Sequence, residues 1–81
     1  MKKIAFTEQA RADVRRLDIA AARRILAGIH RFAETGFGDV KKLQGETDES
    51  RLRIGDYRVR FVEQSDIIHI KRVLPRSEAY R

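Results

Sequence analysis

The chain contains no cysteine, a single proline and no apolar run of membrane-spanning length. Without cysteine there is no disulfide framework, no thiolate nucleophile and no zinc–thiolate centre, a usage that fits a reducing compartment. A secreted mini-protein of this size would ordinarily need such staples. After Met1-Lys2-Lys3, polar residues resume at Thr7, before the apolar region of a signal peptide can form. No later stretch approaches the roughly 20 apolar residues that cross a bilayer. A soluble, cytoplasmic protein with no membrane partner is therefore expected. Also missing are a Walker-type phosphate loop and any spacing of ligands for a metal, since His30 and His69 stand far apart with no thiolate near either. No cofactor and no metal are expected. There is no repeat, low-complexity run or linker, which leaves a single domain over residues 1–81.

What the chain has in excess is positive charge. Its 81 residues carry a formal net charge of +6, with a pI near 10.3. Clustered Lys and Arg neutralise phosphates and release condensed counterions, so a polyanionic partner is indicated. Charge alone does not choose among RNA, DNA, an acidic protein and anionic lipid. With 37% charged residues only one modest core can form, and a tightly bound partner protein would stabilise it by mass action.

Ile4-Ala5-Phe6 reads as a short strand, and Thr7 followed by Glu8 reads as a helix start. Ala10, Val14 and Leu17 follow at helical spacing, and Asp18 can cap a second helix. In that helix Ala22, Ile25, Leu26, Ile29, Phe32 and Ala33 trace one buried face, with Gly36 and Gly38 ending it. Residues Val40 to Ser50 are polar and read as a long loop. Arg51-Leu52-Arg53-Ile54 then alternates, Gly55-Asp56 supplies a two-residue turn, and Tyr57-Arg58-Val59-Arg60-Phe61 alternates again, a hairpin pattern. A turn at Gln64-Ser65-Asp66 leads into Ile67 to Leu74, whose near-continuous apolar character predicts a central strand covered on both faces, stopped by Pro75. The expected class is α+β: an N-terminal strand, then a two-helix hairpin packed on one face of a small, mainly antiparallel four-stranded sheet.

With Gly55 and Asp56 alone in the turn, Ile54 faces Tyr57, Arg53 faces Arg58, Leu52 faces Val59 and Arg51 faces Arg60. Leu52, Ile54, Tyr57, Val59 and Phe61 then share the face toward the helices, and four arginines share the other. A solvated outer face would normally mix signs of charge. Four arginines without an interleaved carboxylate instead suit bidentate phosphate recognition. Lys71 on the next strand adds to this basic set. Tyr80 offers a ring to stack on a base and a hydroxyl that can exchange a proton, or else ordinary packing at the chain end. His30 and His69 are read as structural. Glu34 with Asp39, and Glu46 with Asp48 and Glu49, are read as solvated carboxylates of polar loops.

Three blocks together resemble the RelE/ParE toxin superfamily: Lys42-Leu43-Gln44-Gly45, Leu52-Arg53-Ile54-Gly55-Asp56-Tyr57-Arg58-Val59-Arg60-Phe61, and Arg72-Val73-Leu74-Pro75-Arg76-Ser77-Glu78-Ala79-Tyr80. The resemblance implies the toxin of a type II toxin–antitoxin pair, neutralised by a cognate antitoxin. RelE-like members cut messenger RNA in the ribosomal A site without a metal, inhibiting translation, whereas ParE-like members poison DNA gyrase. On the RelE-like pattern, which the matches favour, Arg58, Arg76 and Tyr80 are the catalytic set. Arg51, Arg53, Arg60 and Lys71 bind the RNA backbone. The ribose 2′ hydroxyl would attack phosphorus, and Tyr80, its phenol acidified by nearby arginines, would assist its deprotonation. The sequence departs from that pattern at Leu74, where the best-known ribonucleases are basic, and at Pro75, where many relatives carry histidine; neither can donate a proton. Two alternatives follow from the departures, a gyrase poison and a catalytically weak homologue that serves as an antitoxin-binding module.

Overall fold

The computed structural model describes residues 1–45 and 48–78. Strand β1 (Lys3–Phe6) runs into helix α1 (Glu8–Arg15), followed by α2 (Ile19–Thr35) and strands β2 (Asp39–Lys42), β3 (Ser50–Ile54), β4 (Tyr57–Gln64) and β5 (Ile67–Pro75). The strands form one sheet in the order β1-β5-β4-β3-β2. Only the β1–β5 pair is parallel. The architecture is α+β as expected, with a two-helix hairpin on one face of the sheet. No helix among the described residues is long and apolar enough to cross a membrane.

Both helices start where the sequence places their caps. Thr7 Oγ1 accepts the Ala10 amide at 3.1 Å, and Asp18 Oδ1 accepts that of Ala21 at 2.7 Å, each satisfying an otherwise orphaned donor of the first turn. Gly36, at φ 78°, ends α2 in the left-handed conformation that a residue with a Cβ adopts only at a cost. Its N–H donates back to the Phe32 carbonyl.

The core lies between the helices and the sheet. Ala10, Ile25, Ile29 and Ala33 from the helices meet Leu52, Val59, Phe61, Ile68, Ile70 and Val73 from the strands. Phe32 packs on Phe61 with ring centroids 5.2 Å apart and planes tilted by 60°, a favourable aromatic geometry. The buried stripe of α2 is Ala21, Ile25, Ile29 and Ala33, rotated from the expected one: Leu26 stays 41% exposed and Ala22 only half-buried. Aliphatic character marked both rows of the helix, but only the row of Ala21, Ile25, Ile29 and Ala33 is buried.

Two further expectations are corrected. The sheet has five strands rather than four, because Asp39–Lys42, at the border of the stretch read as loop, pairs with β3 as an edge strand. All four of its residues are exposed, so burial left no alternation in the sequence to read. Its lysines are the kind of residue that blunts an open edge. Strand β5 is central, between β1 and β4, but helices cover only one of its faces; Ile67 and His69 are half-buried. A bulge between Arg60 and Phe61 on β4 makes Lys71 an extra residue on β5, so that Ile70 and Val73 both reach the core with two residues between them.

Where β1 ends, α1 runs on along the open edge of β5. Thr7 N–H donates to the Ile70 carbonyl, Thr7 Oγ1 donates to the Lys71 carbonyl, and the Val73 N–H donates to Asp13 Oδ2 at 2.9 Å. Asp13 thus replaces a missing strand, and it also holds Arg72 through both oxygens at 2.8 and 3.1 Å. Burial by itself pushes the Asp13 carboxyl up. The hydrogen bonds from Arg72 and Val73 N–H, with the attraction of Arg72 and Arg16, outweigh it and hold the group below the ordinary aspartate range. The hydrogen bond from Arg72 to the carboxylate correspondingly raises the guanidinium further.

Candidate nucleic-acid interface

The hairpin β3–β4 has the expected register, with Ile54 opposite Tyr57, Arg53 opposite Arg58, Leu52 opposite Val59 and Arg51 opposite Arg60. Gly55 takes φ 58° while Asp56 does not enter the positive region, the pattern of a two-residue turn that needs glycine first. Leu52, Val59 and Phe61 are buried against the helices, so the arginines occupy the opposite face.

The four arginines differ sharply in surroundings. Arg58 is only 6% exposed, and its Nη1 donates to the carbonyls of Gly55 and Tyr57, both at 3.1 Å. Among the described residues no carboxylate pairs with it. Arg53, opposite, is exposed and likewise has no carboxylate partner among the described residues. Arg60 donates from Nε and Nη2 to Glu49 Oε2 at 2.9 and 2.6 Å. Arg51 lies 3.6 Å from an Asp39 carboxylate oxygen and 3.4 Å from the Asp39 carbonyl, and its buried Nε has no acceptor. Glu49 is therefore not the solvated loop carboxylate expected, and the face does contain interleaved acids. They arrive from β2 and from the residue before β3 rather than from the hairpin, so hairpin alternation could not reveal them.

Arg76 sits at the turn end of the same face's rim: β5 pairs Pro75 with Tyr57, and the Arg76 N–H donates to the Asp56 carbonyl at 2.8 Å. Its side chain is exposed. Leu74 stands opposite Arg58 in the register and is 9% exposed, so the cross-strand neighbour of the buried arginine is apolar. Lys71 is half-buried at the bulge, set apart from the turn. Tyr80 lies outside the described residues, as do Glu46 and Thr47 of the expected loop. Among the described residues no group of three His, Asp or Glu side chains is placed to hold a metal. The sequence reading passed over Asp13, whose signal was its place beside Ala10 and Val14 on a stripe where a charge must find a partner.

The profile of the ParE toxin of type II toxin–antitoxin systems matches residues 4–80. The chain belongs to this toxin family. Among curated proteins none matches. Solved structures resemble it throughout. The archaeal RelE–RelB complex from Pyrococcus horikoshii OT3 contains a chain 28% identical, with a TM-score of 0.78, covering 96% of this chain and 98% of that one. The RelB–RelE complex from Methanococcus jannaschii gives 25% identity and a TM-score of 0.76, covering 94% of each chain. The intact RelBE complex of E. coli, at 17% identity and a TM-score of 0.73, covers 93% of this toxin and 96% of its own chain, and shows a shared fold.

Proposed function

We propose that this toxin is a metal-independent endoribonuclease that cuts messenger RNA in the ribosomal A site, acts in the cytoplasm and is held inactive by a cognate antitoxin. The observation that carries the reading is Arg58, a nearly buried guanidinium with backbone carbonyls but no carboxylate among its described partners. A buried cation left without a counterion is costly unless a ligand supplies one. A phosphate does so, and guanidinium matches its geometry. Exposed Arg53 and Arg76 border the same turn and add two further donors. The similarity to the toxin chain of the RelB–RelE antitoxin–toxin complex from Methanococcus jannaschii supports an antitoxin partner.

In the reaction the 2′ oxygen gives up its proton, bonds to phosphorus and displaces the 5′ oxygen, which takes a proton. Arg58 and Arg76 stabilise charge on the phosphorane oxygens, and Tyr80 orients the nucleotide or receives the 2′ proton. Arg51, Arg53, Arg60 and Lys71 form the basic surround that positions the strand. Leu74 and Pro75 cannot protonate the 5′ oxygen, so that proton comes from solvent or the ribosome. This apolar cross-strand neighbour of Arg58, together with the ParE profile, favours one second reading, a poison of DNA gyrase.

Induced expression with pulse labelling tests the proposal. Prompt loss of protein synthesis with continuing DNA replication is expected. Early DNA damage with translation intact would overturn the ribonuclease reading in favour of gyrase. Arg58→Ala should lower ribosome-bound cleavage by roughly a hundred-fold or more, the loss typical of one transition-state donor, while sparing antitoxin binding.

A further inference from the structure

The register divides the arginine face into two unequal halves. At the turn end, Arg53 and Arg58 face each other and neither meets a carboxylate among the described residues. One pair further from the turn, Arg51 and Arg60 face each other and each meets one: Asp39 for Arg51 and Glu49 for Arg60. The Arg60 contact is a two-donor pair on one oxygen, with side chains 27% and 21% exposed. The Arg51 contact is looser at 3.6 Å, and Asp39 is 57% exposed. A phosphate arriving at the far half must compete with these acids, whereas at the turn end no carboxylate of the described residues competes with it.

We propose that Asp39 and Glu49 are specificity-determining acids that weaken the phosphate contacts of Arg51 and Arg60 relative to those of the turn-proximal arginines and hold down binding to RNA in general. The proposal rests on the phosphate-binding reading of this face and deepens it. Partly exposed ion pairs are weak, so the acids compete with phosphate without locking the arginines away. Glu49 is the stronger of the two, because it accepts from two donors of its partner and is itself less exposed than Asp39.

The test is anisotropy of a fluorescein-labelled single-stranded RNA decamer, titrated with full-length protein over a range of salt. Glu49→Gln keeps shape and removes one negative charge, so it frees Arg60 for one additional phosphate. The slope of log affinity against log salt should steepen by about 0.7, which corresponds to tighter binding by about five-fold near 0.1 M salt. Asp39→Asn should give a smaller gain in the same direction. Arg60→Ala should abolish the Glu49→Gln gain. A purely structural ion pair would shift melting temperature without changing the salt slope. Unchanged affinity and slope in both acid variants, with Arg53→Ala still weakening binding, would overturn the proposal and leave the phosphate face standing. If Arg53→Ala and Arg58→Ala leave RNA binding unchanged as well, the phosphate face and this proposal fall together.

Discussion

Arg72 on β5 and Arg58 on β4 sit on adjacent strands of one small sheet, yet their charges are handled in opposite ways. Arg72 meets both oxygens of a buried carboxylate that also accepts a strand amide. Arg58 is the more buried of the two and, among the described residues, donates only to the carbonyls of its own turn. The first arrangement satisfies itself and serves to join α1 to the sheet. The second is incomplete as it stands, and that incompleteness is what an anionic ligand can use. Charge count along the sequence does not distinguish the two.

The largest effect should follow from breaking the completed site. Asp13→Ala leaves the buried Val73 N–H without an acceptor and strips Arg72 of its partner. Loss of about 3 kcal/mol is expected, moderated because Arg72 is one-third exposed and can rehydrate. For a domain of this length that lowers the melting temperature by roughly 10 °C or more, measurable by calorimetry. A fall of less than about 1 kcal/mol would show that the clamp is dispensable.

Acid probes the same site more gently. Because the folded-state pKa of Asp13 is depressed, its contribution is fully present above the unfolded aspartate value of about 3.9 and is lost as pH falls through the lower folded value. Urea denaturation of wild type should therefore weaken below about pH 4, and Asp13→Asn should flatten that dependence. An unaltered pH profile in Asp13→Asn would assign the acid sensitivity to other carboxylates.

Much of the fold was legible beforehand, and the exceptions have a common origin. Thr7 and Asp18 announce helix starts because capping is local, and Gly55-Asp56 sets the hairpin register because turn chemistry is local too. Asp39–Lys42 was read as loop since an exposed edge strand depends on its neighbour's backbone rather than on its own pattern. The burial of Arg58 and the pairing of Arg60 with Glu49 depend on segments brought together only by the sheet. Resemblance pointed to Arg58 and Arg76 as candidate site residues, but not to how their surroundings differ from those of Arg51 and Arg60.

The incomplete site should respond to substitution in the reverse sense. Arg58→Met removes a buried charge that has no carboxylate among the described residues and replaces it with an apolar stem of similar reach, next to Leu74. Stability should be unchanged or higher by up to about 1 kcal/mol, even as the proposed activity is lost. An unfolding free energy from denaturant titration that drops instead by about 2 kcal/mol would mean that the two turn carbonyls, rather than a ligand, are the purpose of Arg58.

The smallest effect is expected at the border between the two kinds of site. Arg60 and Glu49 form a pair that is partly open to water, and such pairs contribute about 0.2–1 kcal/mol. Glu49→Gln retains the chain packing and one acceptor, so thermal stability should fall by less than about 0.5 kcal/mol, with the loss shrinking further as salt rises. A larger, salt-insensitive loss would move Arg60 into the class of Arg72, an arginine committed to holding the sheet together. A small and screened one would leave it with Arg58, able to exchange its carboxylate for phosphate.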